Sequence, residues 1–105
     1  MIKKISKVEI AGSPLSRGLG LIGRKDFRSY NGMLLKNANA IHTFFVRFPI
    51  DVVFLDSNFK VLKTVENLCP FRFSPFVWKA KHTLELPQNS IKNHSLKVGD
   101  KIDLE

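Results

Sequence analysis

The chain reads as a mainly β protein: a single compact antiparallel β-sandwich or barrel-like domain of about seven short strands with one or two short helices. Three observations lead there. Short apolar or alternating runs recur at 3–10, 32–35, 41–46, 51–55, 59–66, 81–86 and 101–104. Turn-forming residues stand between most of them, as at Asn37-Ala38-Asn39-Ala40, Ser57-Asn58 and Gly99-Asp100. Residues 41–66 leave no room for the crossover helix that a parallel α/β sheet requires.

The elements follow in order. Residues 3–10 alternate, with Ser6, Val8 and Ile10 on one side and Lys7 and Glu9 on the other, the period of a half-buried strand. Ser13-Pro14 reads as a helix start: Ser13 can cap, and Pro14 suits the first helical position, where its missing N–H would have no partner anyway. Leu15, Leu19 and Ile22 then form an apolar stripe. Gly18, Gly20 and Gly23 each weaken the helix by about 1 kcal/mol relative to Ala, so it should end near Gly23. A polar connection, 24–31, leads to a strand at 32–35. Strands at 41–46 and 51–55 flank a bend at Phe48-Pro49. A hairpin turns at Ser57-Asn58 into the strand 59–66. Residues 69–79 hold two prolines and four aromatics, a loop expected to wrap over the core. Pro87 stops the strand 81–86, one or two helical turns follow within 88–94, and 101–104 is the last strand. Val52, Phe54, Val61, Leu84 and Leu86 are the expected core.

At 105 residues the chain has the size of one domain, 1–105, and its 44% apolar content with nine Phe is enough to fill a core. The single cysteine, Cys69, rules out an internal disulfide and a four-thiol zinc site, and a lone Cys most often packs as a small buried hydrophobe. No apolar stretch is long enough to span a membrane, and charges interrupt the N-terminal segment where a signal peptide would be apolar, so a cytoplasmic address is expected. The net charge is +8, with eight Lys/Arg against Glu9 and Asp26 in residues 1–36. Such an excess suits anionic partners: nucleic acid, a phospholipid surface or an acidic protein. No run of five basic residues occurs, and the basic residues are not interleaved with exposed-looking aromatics in a single-strand-binding pattern, so nucleic-acid binding is expected to be weak.

Leu15-Ser16-Arg17-Gly18-Leu19, Gly23-Arg24, Ile41-His42-Thr43-Phe44, Arg47-Phe48-Pro49-Ile50-Asp51-Val52-Val53-Phe54-Leu55-Asp56, Leu84-Glu85-Leu86-Pro87 and Leu96-Lys97-Val98-Gly99-Asp100 occur in this order. Together they resemble the domain-of-unknown-function family 192 (DUF192), small bacterial and archaeal proteins. The resemblance covers about residues 8–104. It implies a mainly β, sandwich-like fold with a short helix near the start, and no known reaction or ligand. Many relatives carry Gly-Met where this chain has Phe45-Val46, which would close or reshape a pocket there. Relatives often have Ala-Gly where this chain has Gln88-Asn89.

The candidate site is the His42–Asp51 segment. Arg47 and Asp51, beside Pro49, are placed to bind a polar ligand, with His42 and Thr43 adjoining and Arg17 reaching in from the helix. The structural alternative is that Asp51 takes backbone N–H bonds and pairs with Arg47. The three histidines, His42, His82 and His94, lack metal-ligand spacing, and no cofactor is expected. Gly18-Leu19-Gly20-Leu21-Ile22-Gly23 fails as a dinucleotide loop because a helix start precedes it. No nucleophile motif surrounds Cys69. Phe71, Phe73, Phe76 and Trp78 offer either an aromatic ligand platform or a lid over one end of the sandwich, and the lid is favoured. The expected function is therefore a non-enzymatic accessory or binding module for a polar small molecule or protein. An enzyme using His42 and Asp51 and a weak nucleic-acid binder are the alternatives.

Overall fold

A computed structural model describes residues 1–12, 21–22, 24–44 and 46–104. Its strands are β1 (Ile2–Ile5), β2 (Val8–Ala11), β3 (Gly32–Lys36), β4 (Ile50–Leu55), β5 (Val61–Leu68) and β6 (His82–Pro87). Among the described residues a single helical turn, α1 (Ser90–Asn93), and β7 (Lys101–Leu104) follow. The helix expected over 13–23 lies almost wholly outside the described residues.

β4 is apolar on both faces apart from Asp51, and an all-apolar strand belongs inside a sheet covered on both sides. It lies between β5 and β6 in a sheet ordered β2-β3-β6-β4-β5. The two sides of this sheet bury separate cores. On one side Met33, Leu35, Val52 and Phe54 pack with Leu21, Phe27, Ile41 and Val46. On the other, Leu34, Val53, Leu84 and Leu86 pack with Ile5, Ile91, Leu96 and Ile102. The five residues expected to form the core, Val52, Phe54, Val61, Leu84 and Leu86, are all 0% exposed.

The strand expected at 3–10 is two strands. Lys7 takes a left-handed φ of 53°, and the chain changes sheet there. β1 pairs with β7 and β2 with β3, both in parallel, so the sheets are not purely antiparallel. The bend turns Ile10 outward and Ala11 inward. The β1–β7 ribbon joins the start of β5 through an isolated bridge, Lys60 to Lys101, and closes over the second core like a partial barrel.

The described residues of the expected strand 41–46 form no strand. Their only ladder contact among the described residues is an isolated bridge from His42 to Phe73. Their backbone groups are satisfied instead by the 71–74 segment: Thr43 N–H donates to Arg72 O (2.8 Å), and Ser74 N–H to Ile41 O (2.9 Å). The hairpin turn at Ser57-Asn58 forms as expected, with Asp56 Oδ1 accepting N–H bonds from Asn58 and Lys60.

Phe54 lies fully buried at the centre of the first core. Phe54→Ala should lower stability by about 3–5 kcal/mol in urea unfolding, because the surrounding strands cannot collapse into the space.

Candidate functional site

The candidate segment divides into residues that face in and residues that face out. Asp51 faces in and is 1% exposed. Opposite it, the β4–β5 register slips: Ile50 pairs with Leu68 but Val52 with Val65, so β5 carries an extra residue. A bulge leaves an N–H without a ladder partner. Here Asn67, at φ 57°, donates its N–H to Asp51 Oδ1 (2.9 Å). The other oxygen, Oδ2, accepts the N–H of Ile91 in α1 (2.9 Å). One carboxyl group thus ties β4 to both the β5 bulge and the helical turn. The donors come from these two elements and not from the prolyl bend. Asn89, at φ 74°, enters α1 in a left-handed conformation that glycine adopts without strain.

Thr43 also faces in, at 0% exposure. Its hydroxyl donates to Cys69 O (2.6 Å) and accepts the Arg72 N–H (2.8 Å). This one side chain fastens the 41–46 segment to the 69–74 loop. His42 and Arg47 face out. His42 Nδ1 accepts the Phe44 N–H (3.3 Å) and its ring lies over Phe44 (5.4 Å). Among the described residues no ion pair joins Arg47 to Asp51, whose oxygens are already occupied. Of the described candidates, Thr43 and Asp51 therefore face in while His42 and Arg47 face out. Arg17 lies outside the described residues.

The 69–79 loop departs from the expected lid. Its inward residues are Ser74 and, partly, Val77, with Ala80 following. Its aromatics turn to solvent: Phe71 is 57% exposed, Phe73 72%, Phe76 62% and Trp78 80%. Phe44 packs edge-on against Phe73 (4.9 Å, 89°) and tilted against Phe71 (6.2 Å). Cys69 is exposed and not buried.

A second polar group was not singled out from the sequence. Glu9, Met33, Glu85 and Val52 are successive partners across β2, β3, β6 and β4, and all face the first core. Glu9 is held by a bidentate Arg24 (2.6 and 3.1 Å), and that hydrogen bonding draws its carboxyl below the usual range. Glu85 is buried, and its Oε1 has no partner among the described residues. Burial pushes its carboxyl up to about 8, and the charge of Arg24 opposes this only in part. His82 is also buried; desolvation, with the charges of Lys36 and Lys81, holds its imidazole below the usual range. Its Nδ1 accepts the Asn37 N–H (3.2 Å), and its ring stacks on Phe59 (5.1 Å). His42 and His82 therefore serve different surroundings. Among the described residues no cluster of three His, Cys, Asp or Glu forms.

The family of uncharacterised ACR proteins, DUF192, matches residues 2–104. The chain belongs to the DUF192 family. A UPF0127 protein of Pyrococcus horikoshii is 35% identical over 99 residues, covering 91% of this chain and 85% of its own. A UPF0127 protein of Pyrococcus abyssi is 33% identical over 105 residues, covering 97% and 89%. Two solved structures share the fold. A protein of unknown function from Novosphingobium aromaticivorans superposes with a TM-score of 0.78 at 20% identity, covering 90% of this chain and 71% of that one. A Sinorhizobium meliloti protein proposed as a transcription regulator gives 0.79 at 23% identity, covering 88% and 76%. At these identities the likeness concerns the fold alone. The DUF192 resemblance and its mainly β architecture are thus both correct for this chain.

Two substitutions test the buried carboxyls of this DUF192 domain. Asp51→Asn replaces one acceptor by a donor facing an N–H, and should destabilise by about 1–3 kcal/mol in a urea titration. Glu85→Gln tests the other. The folded protein keeps a proton on Glu85 that the unfolded chain loses above about pH 4.5, so the parent loses stability as pH rises from there to about 8. The Gln variant lacks that loss. It should match the parent near pH 5 and exceed it by a few kcal/mol near pH 9, in urea unfolding at both values.

Proposed function

We propose that this domain is a non-catalytic binding module. Its contact face is raised by His42, Phe44, Arg47 and the outward residues of 71–79 and takes an acidic partner. One observation carries the reading: the inward groups of the candidate segment are used up in scaffold bonds, while its outward groups are aromatic or cationic. Thr43 and Asp51 hold loops and strands together. His42, Arg47 and Arg72 reach solvent, His42 against Phe44 and Arg72 between the exposed Phe71 and Phe73. Residues 41–49 and 69–81 contain Arg47, Arg72, Lys79 and Lys81 and no Asp or Glu. An exposed apolar cluster with one sign of charge around it is the composition of a docking surface.

The catalytic alternative requires Asp51 to orient His42. Both Asp51 oxygens are bonded to Asn67 and Ile91, and His42 Nδ1 is bonded to Phe44. The basic excess of residues 1–36 also makes a poorer contact face. Arg24 is committed to Glu9, and Lys3, Lys4 and Lys7 carry no comparable aromatic cluster among them.

Backbone NMR shifts on titration with short dextran sulfate test the reading. The largest changes should map to His42, Phe44, Arg47 and residues 71–79. Changes centred on Lys3, Lys4, Lys7 and Arg28 would move the anionic contact to the N-terminal third and contradict the proposal.

A further inference from the structure

We infer that the aromatic face docks on the interface of an anionic phospholipid bilayer, with the rings of the 71–78 loop entering the headgroup boundary. The inference rests on the binding-module reading and names its partner. Phe73 and Phe76 are three residues apart on the chain, so their backbones lie within about 11 Å. Phe44 packs against Phe71 and Phe73, and Phe76 lies 6.3 Å from Trp78. One ring cluster, Phe44 with Phe71 and Phe73, bridges the 41–46 segment and the 69–79 loop where Thr43 fastens them, and the second, Phe76 with Trp78, follows on the same loop.

Four of these five rings are phenylalanines, which have no polar atom to offer a polar ligand. Exposing them to water is unfavourable unless another apolar phase receives them. The one ring with a polar handle is Trp78, the residue type that favours the bilayer–water boundary, apolar body inward and N–H outward. Arg47, Arg72, Lys79 and Lys81 stand in the same segments with no acidic neighbour in them, which complements anionic headgroups. Ring geometry separates this partner from a single-stranded nucleic acid. Base stacking needs accessible, successive ring faces. Phe44 and Phe73 instead meet edge to face at 89°, and Phe76 and Trp78 are tilted by 48°. Such clusters form wedges, not a stacking row. A bilayer requires only the apolar volume and the surrounding cations. Among the described residues no helix is long and apolar enough to cross a membrane.

Trp78 is the only tryptophan, so its emission reports this loop alone. The experiment mixes the purified protein with vesicles of phosphatidylcholine, or of phosphatidylcholine with phosphatidylglycerol, and measures Trp emission and cosedimentation. The expected result is a blue shift and cosedimentation with the phosphatidylglycerol vesicles and neither with phosphatidylcholine alone. Phe73→Ser and the double change Arg72→Glu/Lys79→Glu should each weaken binding by roughly tenfold or more. Both variants alter exposed side chains, so their thermal melts should match the parent. Val98→Ser, which removes another exposed apolar side chain (66%), should bind as the parent does. An unshifted spectrum with phosphatidylglycerol vesicles overturns the inference, as does equal binding by Phe73→Ser. Emission quenched by single-stranded DNA at the same salt, without vesicle binding, overturns it in favour of nucleic acid. Dextran sulfate binding retained without vesicle binding removes the bilayer and leaves the acidic-partner reading. Loss of both removes both.

Discussion

The fold turns on the buried carboxyl of Asp51. A polar group at the centre of an apolar strand is tolerated only when its atoms are bonded, and here both oxygens accept backbone N–H groups from distant elements. Those two bonds solve two local problems together. They give a partner to the N–H of the β5 bulge, and they hold α1, a single turn too short to be stable alone, against the sheet. The two cores on either side of β4 then share one fixed strand, and α1 brings Ile91 into the second of them.

With Asp51 committed to the interior, the outer surface of the same segment is left to other chemistry. Thr43 does on the loop side what Asp51 does in the sheet: one side chain accepts and donates, and a long irregular connection becomes fixed. The result is a firm base under a loop whose aromatics point away from the protein. Phe71 even holds a left-handed φ of 61°, uncommon for so bulky a residue, while its N–H is bonded to Thr43 O (3.0 Å). The apolar side chains that would normally complete a core instead form a surface, and the basic residues among them set the sign of charge that the surface meets.

Much of the sheet was legible in the sequence, because alternation and apolar runs report burial directly. Val52, Phe54, Val61, Leu84 and Leu86 lie where their runs place them, and the Ser57-Asn58 turn follows from its composition. That Asp51 would accept backbone N–H groups was legible too, since a carboxyl inside an apolar run has few other options. Its donors were not, because a bulge at Asn67 and a turn at Ile91 depend on pairing across the fold. The change of sheet at Lys7 leaves the alternation of 3–10 intact, so periodicity alone reads one strand. The alternation of 81–86 sets Glu85 with Lys81 and Thr83, opposite His82, Leu84 and Leu86, which by period alone is a solvent face. The signal that Glu85 is buried lies elsewhere, in β4, apolar on both faces apart from Asp51, which pairs with β6 and calls for cover on both faces. The orientation of Phe71, Phe73, Phe76 and Trp78 could not be read, because prolines at 70 and 75 remove the regular period that would assign each ring a side.

The central claim is that one carboxyl group holds both the bulge and the helical turn in place. Amide hydrogen exchange of Asn67 and Ile91, followed by NMR in the parent protein and in Asp51→Asn, tests it most directly. Asn67 sits at an edge-strand bulge and Ile91 in a single helical turn, so neither owes protection to a regular ladder. Slow exchange of both amides in the parent, lost together in the variant while Thr43 keeps its protection, is the result this account predicts. Rapid exchange of either amide in the parent, or protection unchanged in the variant, would contradict it.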